Sequence, residues 1–334
     1  MVRPIANAVV VGLLACFVAT GFFGGSTSMI WGQDIVAPTF GGAQFWTDCF
    51  IHGNWRIQQN AVSGHYRLLD DRNFRRAAGT YEYCHERFDK LKKDLDLPPL
   101  KKTTVVLLHG LGRTRNALNG LAKTLVEDGE WSAINVSYAS TRKSVSEHAA
   151  ALKQIVENLE GVEQIHFVGH SLGNIVIRHY LADRSREAEQ GAANSLPAVG
   201  RVVMLAPPNN GSAVARILKD LTLFQWILGT TGQELGGAWD RLQPMLATPH
   251  EFGIIAGSLR DGEGANPMIP GDDDLVVGVD ETKLPGAKDF LEVPAAHTFI
   301  MNHESAQRAT LSFLRWGYFR SEEERNPLPL PKDP

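Results

Sequence analysis

One pentapeptide limits what this chain can fold into: Gly169-His170-Ser171-Leu172-Gly173. A short apolar run, Ile165-His166-Phe167-Val168, precedes it, and a stretch that reads as a helix, Asn174 to Asp183, follows. A strand, a tight turn and a helix therefore meet at Ser171. Such a turn forces the serine into an unfavourable backbone conformation and lifts its hydroxyl above the end of the strand. Strand and helix nearly touch there, so the residues two before and two after must be very small. Gly169 and Gly173 meet that demand.

The rest of the chain repeats the strand–helix alternation. Thr103-Thr104-Val105-Val106-Leu107-Leu108 is a continuous β-branched and apolar run, the mark of a buried parallel strand. It ends in His109-Gly110-Leu111-Gly112. Leu118, Leu121, Ala122 and Leu125 then form a helical face, closed by Gly129. A second strand is expected at 133–138. Ser144-Val145-Ser146-Glu147 is a capping box opening a helix with Leu152, Ile155, Val156 and Leu159 on one face. After the helix at 174–183, residues 184–199 read as a polar connector. Further strands are expected at 202–206, 252–257 and 290–293, and a last helix near 303–316. Strands alternating with helices at this spacing imply a mostly parallel sheet covered on both faces.

Before residue 101 the pattern is weaker. Short alternations at 55–58 and 65–69, separated by Asn60 to Gly64, predict a β-hairpin. Residues 34–53 show no clear period, and 73–94 read as a charged helix. Ile5 to Phe23 has no charged residue and resembles an export signal in 1–33, with an uncleaved membrane anchor through 5–23 as the alternative. Leu13-Leu14-Ala15-Cys16 faintly resembles a lipoprotein box, but the residues after Cys16 stay apolar. Export would place the protein in the periplasm or outside the cell. It would also permit a disulfide between Cys49 and Cys84; two buried free thiols are the other reading. The formal charge of −4, from 33 basic and 37 acidic residues well mixed, gives no basic stripe and argues against nucleic acid as a partner. Ser321 to Pro334 is charged and proline-rich and reads as a disordered tail.

A serine hydroxyl is a weak nucleophile near neutral pH and needs a base, which in turn needs an orienting acid. In strand–turn–helix sites of this kind the chain order is serine, acid, histidine. Only His179, His250, His297 and His303 follow Ser171. His179 sits on the helix after the turn, and His250 precedes the acidic loop. His297 lies just past the final strand, where a base belongs; His303 is six residues further, toward the last helix. For the acid, Asp272-Asp273-Asp274 are consecutive, so only one can point at His297. Asp274 is favoured, Asp273 is the alternative, and Asp261 is an outsider. Clustered carboxylates also suit calcium, but no full ligand set accompanies them, and no metal is expected. Two N–H donors are needed for a developing oxyanion: Leu172, the residue after the nucleophile, and Leu111 in the loop after the first buried strand.

At this point the chain resembles the α/β-hydrolase superfamily, and most of all its bacterial lipase and esterase branch. The residues that carry the resemblance are Leu108-His109-Gly110-Leu111-Gly112, Gly169 to Gly173, Asp274-Leu275-Val276-Val277 and His297-Thr298-Phe299. Family members often have glycine after the acid, where this chain has Leu275. The resemblance implies an α/β-hydrolase fold, a preceding antiparallel hairpin, and one domain over residues 40–317. It implies a carboxylic ester hydrolase that needs no cofactor, with Ser171, Asp274 and His297 as its triad. The apolar segment 212–250 would be a lid, an acyl-binding wall or ordinary core helix, and turns the expectation toward lipid-like esters. Acyl transfer or thioester cleavage would use the same residues. A catalytically silent exported binding protein on this fold is a reading of another class.

Overall fold

The computed structural model describes residues 37–38, 42–191, 196–213, 231, 234–235, 238–259 and 264–330. The expected export segment, Asp261 and most of 212–250 lie outside the described residues. Among those described, no helix is long and apolar enough to cross a membrane.

Two sheets organise the described residues. The first is antiparallel: β1 (Ala37–Pro38), β2 (Trp46–His52), β3 (Trp55–Asn60), β4 (Tyr66–Leu69) and β5 (Phe74–Gly79), in the order β1-β5-β4-β3-β2. The expected hairpin is β3–β4, with Ile57 opposite Leu68 and Gln59 opposite Tyr66. Asn60 shapes its turn, its Oδ1 accepting from the amides of Val62 at 3.0 Å and Ser63 at 2.9 Å. The helix expected from residue 73 begins later, because 74–79 form β5. Thr80 then caps α1 (Tyr81–Asp94), its Oγ1 accepting from Tyr83 N at 3.2 Å. Phe50, Trp55, Ile57 and Leu68 pack with Cys84 and Phe88 of α1 in a separate core. Cys49 and Cys84 are both buried free thiols; burial pushes each up to about 12.

The second sheet is wholly parallel: β6 (Thr103–Leu108), β7 (Ser132–Val136), β8 (Gln164–His170), β9 (Ala198–Leu205), β10 (Phe252–Gly257) and β11 (Asp289–Val293), in the order β11-β10-β9-β8-β6-β7. Its helices are α2 (Asn119–Glu127), α3 (Val145–Glu157), α4 (Leu172–Glu189) and α7 (Glu304–Trp316), with short α5 (Trp239–Leu242) and α6 (Val279–Thr282). Alternate residues of β6 serve opposite faces. Val106 and Leu108 join a core with Leu152 and Ile155 of α3 and Ile175 and Tyr180 of α4. Val105 and Leu107 join another with Leu121 and Leu125 of α2 and Phe313 of α7. Ser144 and Glu147 form the expected capping box at the start of α3. The connector expected at 184–199 is shorter, since α4 continues to Glu189 and β9 begins at Ala198. Leu235, Trp239 and Leu242, within 212–250, are buried in the α3–α4 core.

A buried ionic seam joins the sheets. Asp48 of β2 is fully buried and accepts from Arg56 Nη1 at 2.9 Å, Gln58 Nε2 at 2.7 Å and Ser137 N at 2.7 Å. Arg56 Nη1 also donates to Asn135 O at 3.3 Å, and Asp48 N donates to Ser137 O at 2.8 Å. Edge strand β2 is thus stitched to the chain leaving edge strand β7.

The segment after α7 differs from the expectation of a disordered tail. Asp289 Oδ2 accepts from Phe319 N at 2.7 Å and its Oδ1 from Asn326 N at 2.9 Å. Leu328 then exchanges backbone bonds with Gly286 at 2.7 Å and Ala287 at 2.9 Å. The buried carboxylate of Asp289 and the unfilled edge of β11 hold what composition alone marks as disordered.

Candidate active site

The parallel strands end together: Leu108 lies opposite Gly169 and Val136, and His170 opposite Leu205. The loops that follow them therefore open on one side of the sheet, where sites of α/β sheets form. Ser171 sits there at the end of central strand β8 and caps α4 with φ 52° and ψ −120°. A non-glycine residue at such a φ is strained by about 1–3 kcal/mol. Close packing maintains it. A Cβ on Gly169 would stand 2.3 Å from Asn174 Oδ1, and one on Gly173 would stand 2.3 Å from Leu108 O. Ser171 N is fixed by Leu205 O at 2.9 Å.

The acidic triplet divides its labour. Asp274 is fully buried; its Oδ2 meets His297 Nδ1 at 2.7 Å, and its Oδ1 accepts from Val276 N at 3.0 Å and Val277 N at 2.7 Å. Since the carboxylate accepts, the proton of this bond sits on Nδ1 and leaves Nε2 available as a base. His297 N also donates to Asp274 O at 2.9 Å. Asp273 turns into its own loop, accepting from Leu275 N at 2.7 Å and Asn266 N at 3.0 Å. Asp272 Oδ2 accepts from Ser258 Oγ at 2.5 Å. Leu275 stands at φ 83°, a left-handed conformation that favours glycine. A glycine after Asp274 would have a backbone reason, which this chain overrides with leucine. Among the described residues no group of three or more His, Cys, Asp or Glu is arranged to hold a metal ion.

His297 reaches the turn through His170. His170 Nε2 donates to His297 O at 3.0 Å, and the two rings lie 4.9 Å apart. Burial, and then the repulsion that a charge on His170 would meet beside the His297 ring, holds His170 well below its ordinary pKa, so it is a neutral imidazole. Among the described residues no hydrogen bond joins Ser171 Oγ to His297; such bonds often tighten only around substrate. The other three histidines after Ser171 stand apart from this arrangement. His179 Nδ1 pairs with Asp183 at 3.0 Å, His303 precedes α7, and His250 lies in the segment before β10.

Leu172 is the first residue of α4, where backbone N–H groups have no partner within the helix. Leu111 follows β6 in a loop whose next two amides are engaged, Gly112 N by Ser140 Oγ at 3.0 Å and Arg113 N by Gly110 O at 3.2 Å. Beneath this loop His109 stacks on Tyr138, with ring centroids 4.2 Å apart, and Tyr138 Oη donates to His109 O. Burial lowers His109 to about 4, so it too is neutral. Sequence reading missed Asn174 and the bridge made by His170. The one signal available was an asparagine directly after the glycine of the turn, a residue whose side chain competes for backbone hydrogen bonds.

A family model described as an alpha/beta hydrolase of unknown function (DUF915) matches residues 127–225, which include Ser171. No curated protein matches the chain. Among solved structures, the lin2722 gene product of Listeria innocua is similar with 16% identity and a TM-score of 0.46, covering 69% of this chain and 99% of that one. The mature lipase BlEst2 of Bacillus licheniformis is similar with 18% identity and a TM-score of 0.48, covering 66% and 96%. A metagenomic carboxyl esterase, MGS0156, is similar with 17% identity and a TM-score of 0.39, covering 60% and 65%. With helices on both faces of its parallel sheet, a strained serine between β8 and α4, and an alpha/beta hydrolase family model matching the stretch that spans that turn, the chain has the α/β-hydrolase fold.

Proposed function

We propose that the protein hydrolyses carboxylic esters through an acyl-enzyme on Ser171. The observation that carries this reading is the buried 2.7 Å bond between His297 Nδ1 and Asp274, set beside the strained serine turn. Ser171 Oγ attacks the acyl carbon as His297 Nε2 takes its proton. Asp274 holds the imidazole tautomer and stabilises the imidazolium. The Leu172 and Leu111 amides take the negative charge of the tetrahedral oxygen. His297 returns the proton to the leaving alcohol, then draws one from the water that attacks the acyl carbon and passes it to Ser171 Oγ as the acid leaves. Every step uses the chain's own residues. Lipid-like or medium-chain esters are the proposed substrates, and export through residues 1–33 is the proposed route to the periplasm or cell exterior.

The test is p-nitrophenyl ester hydrolysis and fluorophosphonate labelling by wild type and Ser171→Ala. Wild type should turn over and be labelled at Ser171, and the variant should do neither. Absence of both from the wild-type protein would overturn the reading. A panel of acyl chain lengths tests the substrate class, and rates peaking on short, water-soluble esters would reject the lipid-like one.

A further inference from the structure

Asn174 is fully buried in the first turn of α4 and belongs to no expected catalytic group. Its Nδ2 donates to Ser171 O at 3.1 Å and to Leu205 O at 3.2 Å. Only the NH₂ end of an amide can meet two carbonyls, which fixes its orientation. Its backbone N donates to Ser171 O as well, at 3.0 Å, while Leu205 O already accepts from Ser171 N at 2.9 Å. One side chain therefore ties the carbonyl of the serine to the end of β9. The remaining atom, Oδ1, has no hydrogen-bond partner among the described residues and fills the space a Cβ on Gly169 would need, 2.3 Å away.

The geometry points to Asn174 as a positioning residue for the oxyanion site. Ser171 O and Leu172 N–H belong to one peptide unit. In a trans peptide they point in opposite directions, and among the described residues there are no cis bonds. Holding Ser171 O down against β9 therefore holds Leu172 N–H away from it, toward the open side where Ser171 stands. The strained φ of Ser171 favours rotation of this peptide toward a relaxed conformation. The two Nδ2 bonds oppose that relaxation, and they act where the backbone bond from Asn174 N is a single i→i−3 contact.

This inference rests on the proposed ester hydrolysis, and its test separates the two. Asn174→Asp keeps the shape but turns an acceptor toward two carbonyls, and Asn174→Ala removes the tie. For both, kcat and the rate of fluorophosphonate labelling should fall about 10- to 100-fold, with KM within about threefold. Binding of an alkyl trifluoromethyl ketone, whose adduct places an oxyanion at Leu172, should weaken in parallel. The apparent pKa of kcat/KM should not move, because the His297–Asp274 pair is untouched. Thermal unfolding of each variant sets the folded fraction against which rates are scored. Should both fail to fold, Asn174→Ser, which keeps one donor, decides by the same measurements. Labelling at the wild-type rate by folded variants, or a loss confined to KM, overturns the inference and leaves ester hydrolysis standing. A wild type that neither labels nor turns over overturns both.

Discussion

Asp274 and His297 are tied twice, by the side-chain bond at 2.7 Å and by His297 N donating to Asp274 O at 2.9 Å. The second tie fixes the backbone of His297, the proposed base, to that of Asp274, the proposed acid. The pairing is thus set before any substrate arrives. If it orients the base, Asp274→Asn should lower kcat by about a thousand- to ten-thousand-fold with the fold intact, since the amide admits the wrong tautomer. Asp273→Asn, which loosens bonds to Leu275 and Asn266, should act mainly on stability. Steady-state kinetics beside thermal melts of the two variants make the comparison. Equal kinetic losses would reject the assignment of Asp274.

Leu275 offers a test of stored strain. It stands at φ 83° and is 43% exposed, so little packing compensates the conformation. Glycine there removes a left-handed penalty of about 1–2 kcal/mol and adds an unfolded-state entropy cost of about 0.5–1 kcal/mol. Leu275→Gly should therefore raise unfolding free energy by up to about 1 kcal/mol, read from urea midpoints. Leu275→Val should lower it. A destabilised glycine variant would show that the leucine side chain contributes more than its exposure suggests.

The seam between the sheets should be costly to break on one side only. Asp48→Asn leaves the buried Arg56 guanidinium without its counter-charge, a loss of about 3–5 kcal/mol. The double change Asp48→Leu with Arg56→Met should be milder than either half alone. Chemical denaturation of Asp48→Leu, Arg56→Met and the double variant decides the matter, and additive losses would mean that the pair is not coupled.

Burial keeps several imidazoles neutral: His109 and His166 are each pushed down to about 4, and His148 to about 3. Unfolded, these groups return to an ordinary value of about 6.5. Between those limits the unfolded chain binds more protons than the folded one. Their contribution is therefore complete above pH about 6.5 and is lost as pH falls toward about 4. Melting temperature should drop across that window. His166→Gln should shallow the slope, and a profile that stays flat down to pH about 4.5 would contradict the account.

The parallel half of the fold was legible because buried strands leave continuous apolar runs, as at 103–108 and 252–257. The antiparallel half was less so. Strand β2 carries Thr47, Asp48 and His52 as buried polar residues, and each has a partner far along the chain, Ala139, Ser137 and Pro98. No local period can announce such a strand. Chain order made Ser171 and His297 candidates because it excludes alternatives. It did not separate Asp273 from Asp274: one residue changes the face, and the left-handed turn at Leu275 decides which carboxylate looks at His297. Asn174 stayed hidden because its carbonyl partners come from two different strand ends.

The chain after α7 has a consequence for how the molecule keeps to itself. Strand β11 is the last of the parallel sheet, and an uncovered edge invites another chain to pair with it. Asn326 and Leu328 lie along that border, anchored by Asp289 and by the backbone before β11, while β2 guards the opposite border at Ser137. A shortened chain ending at Gly317 would keep every residue of the proposed chemistry and lose one of its two guards. Its failure would be expected as self-association in solution rather than as a loss of turnover per folded molecule.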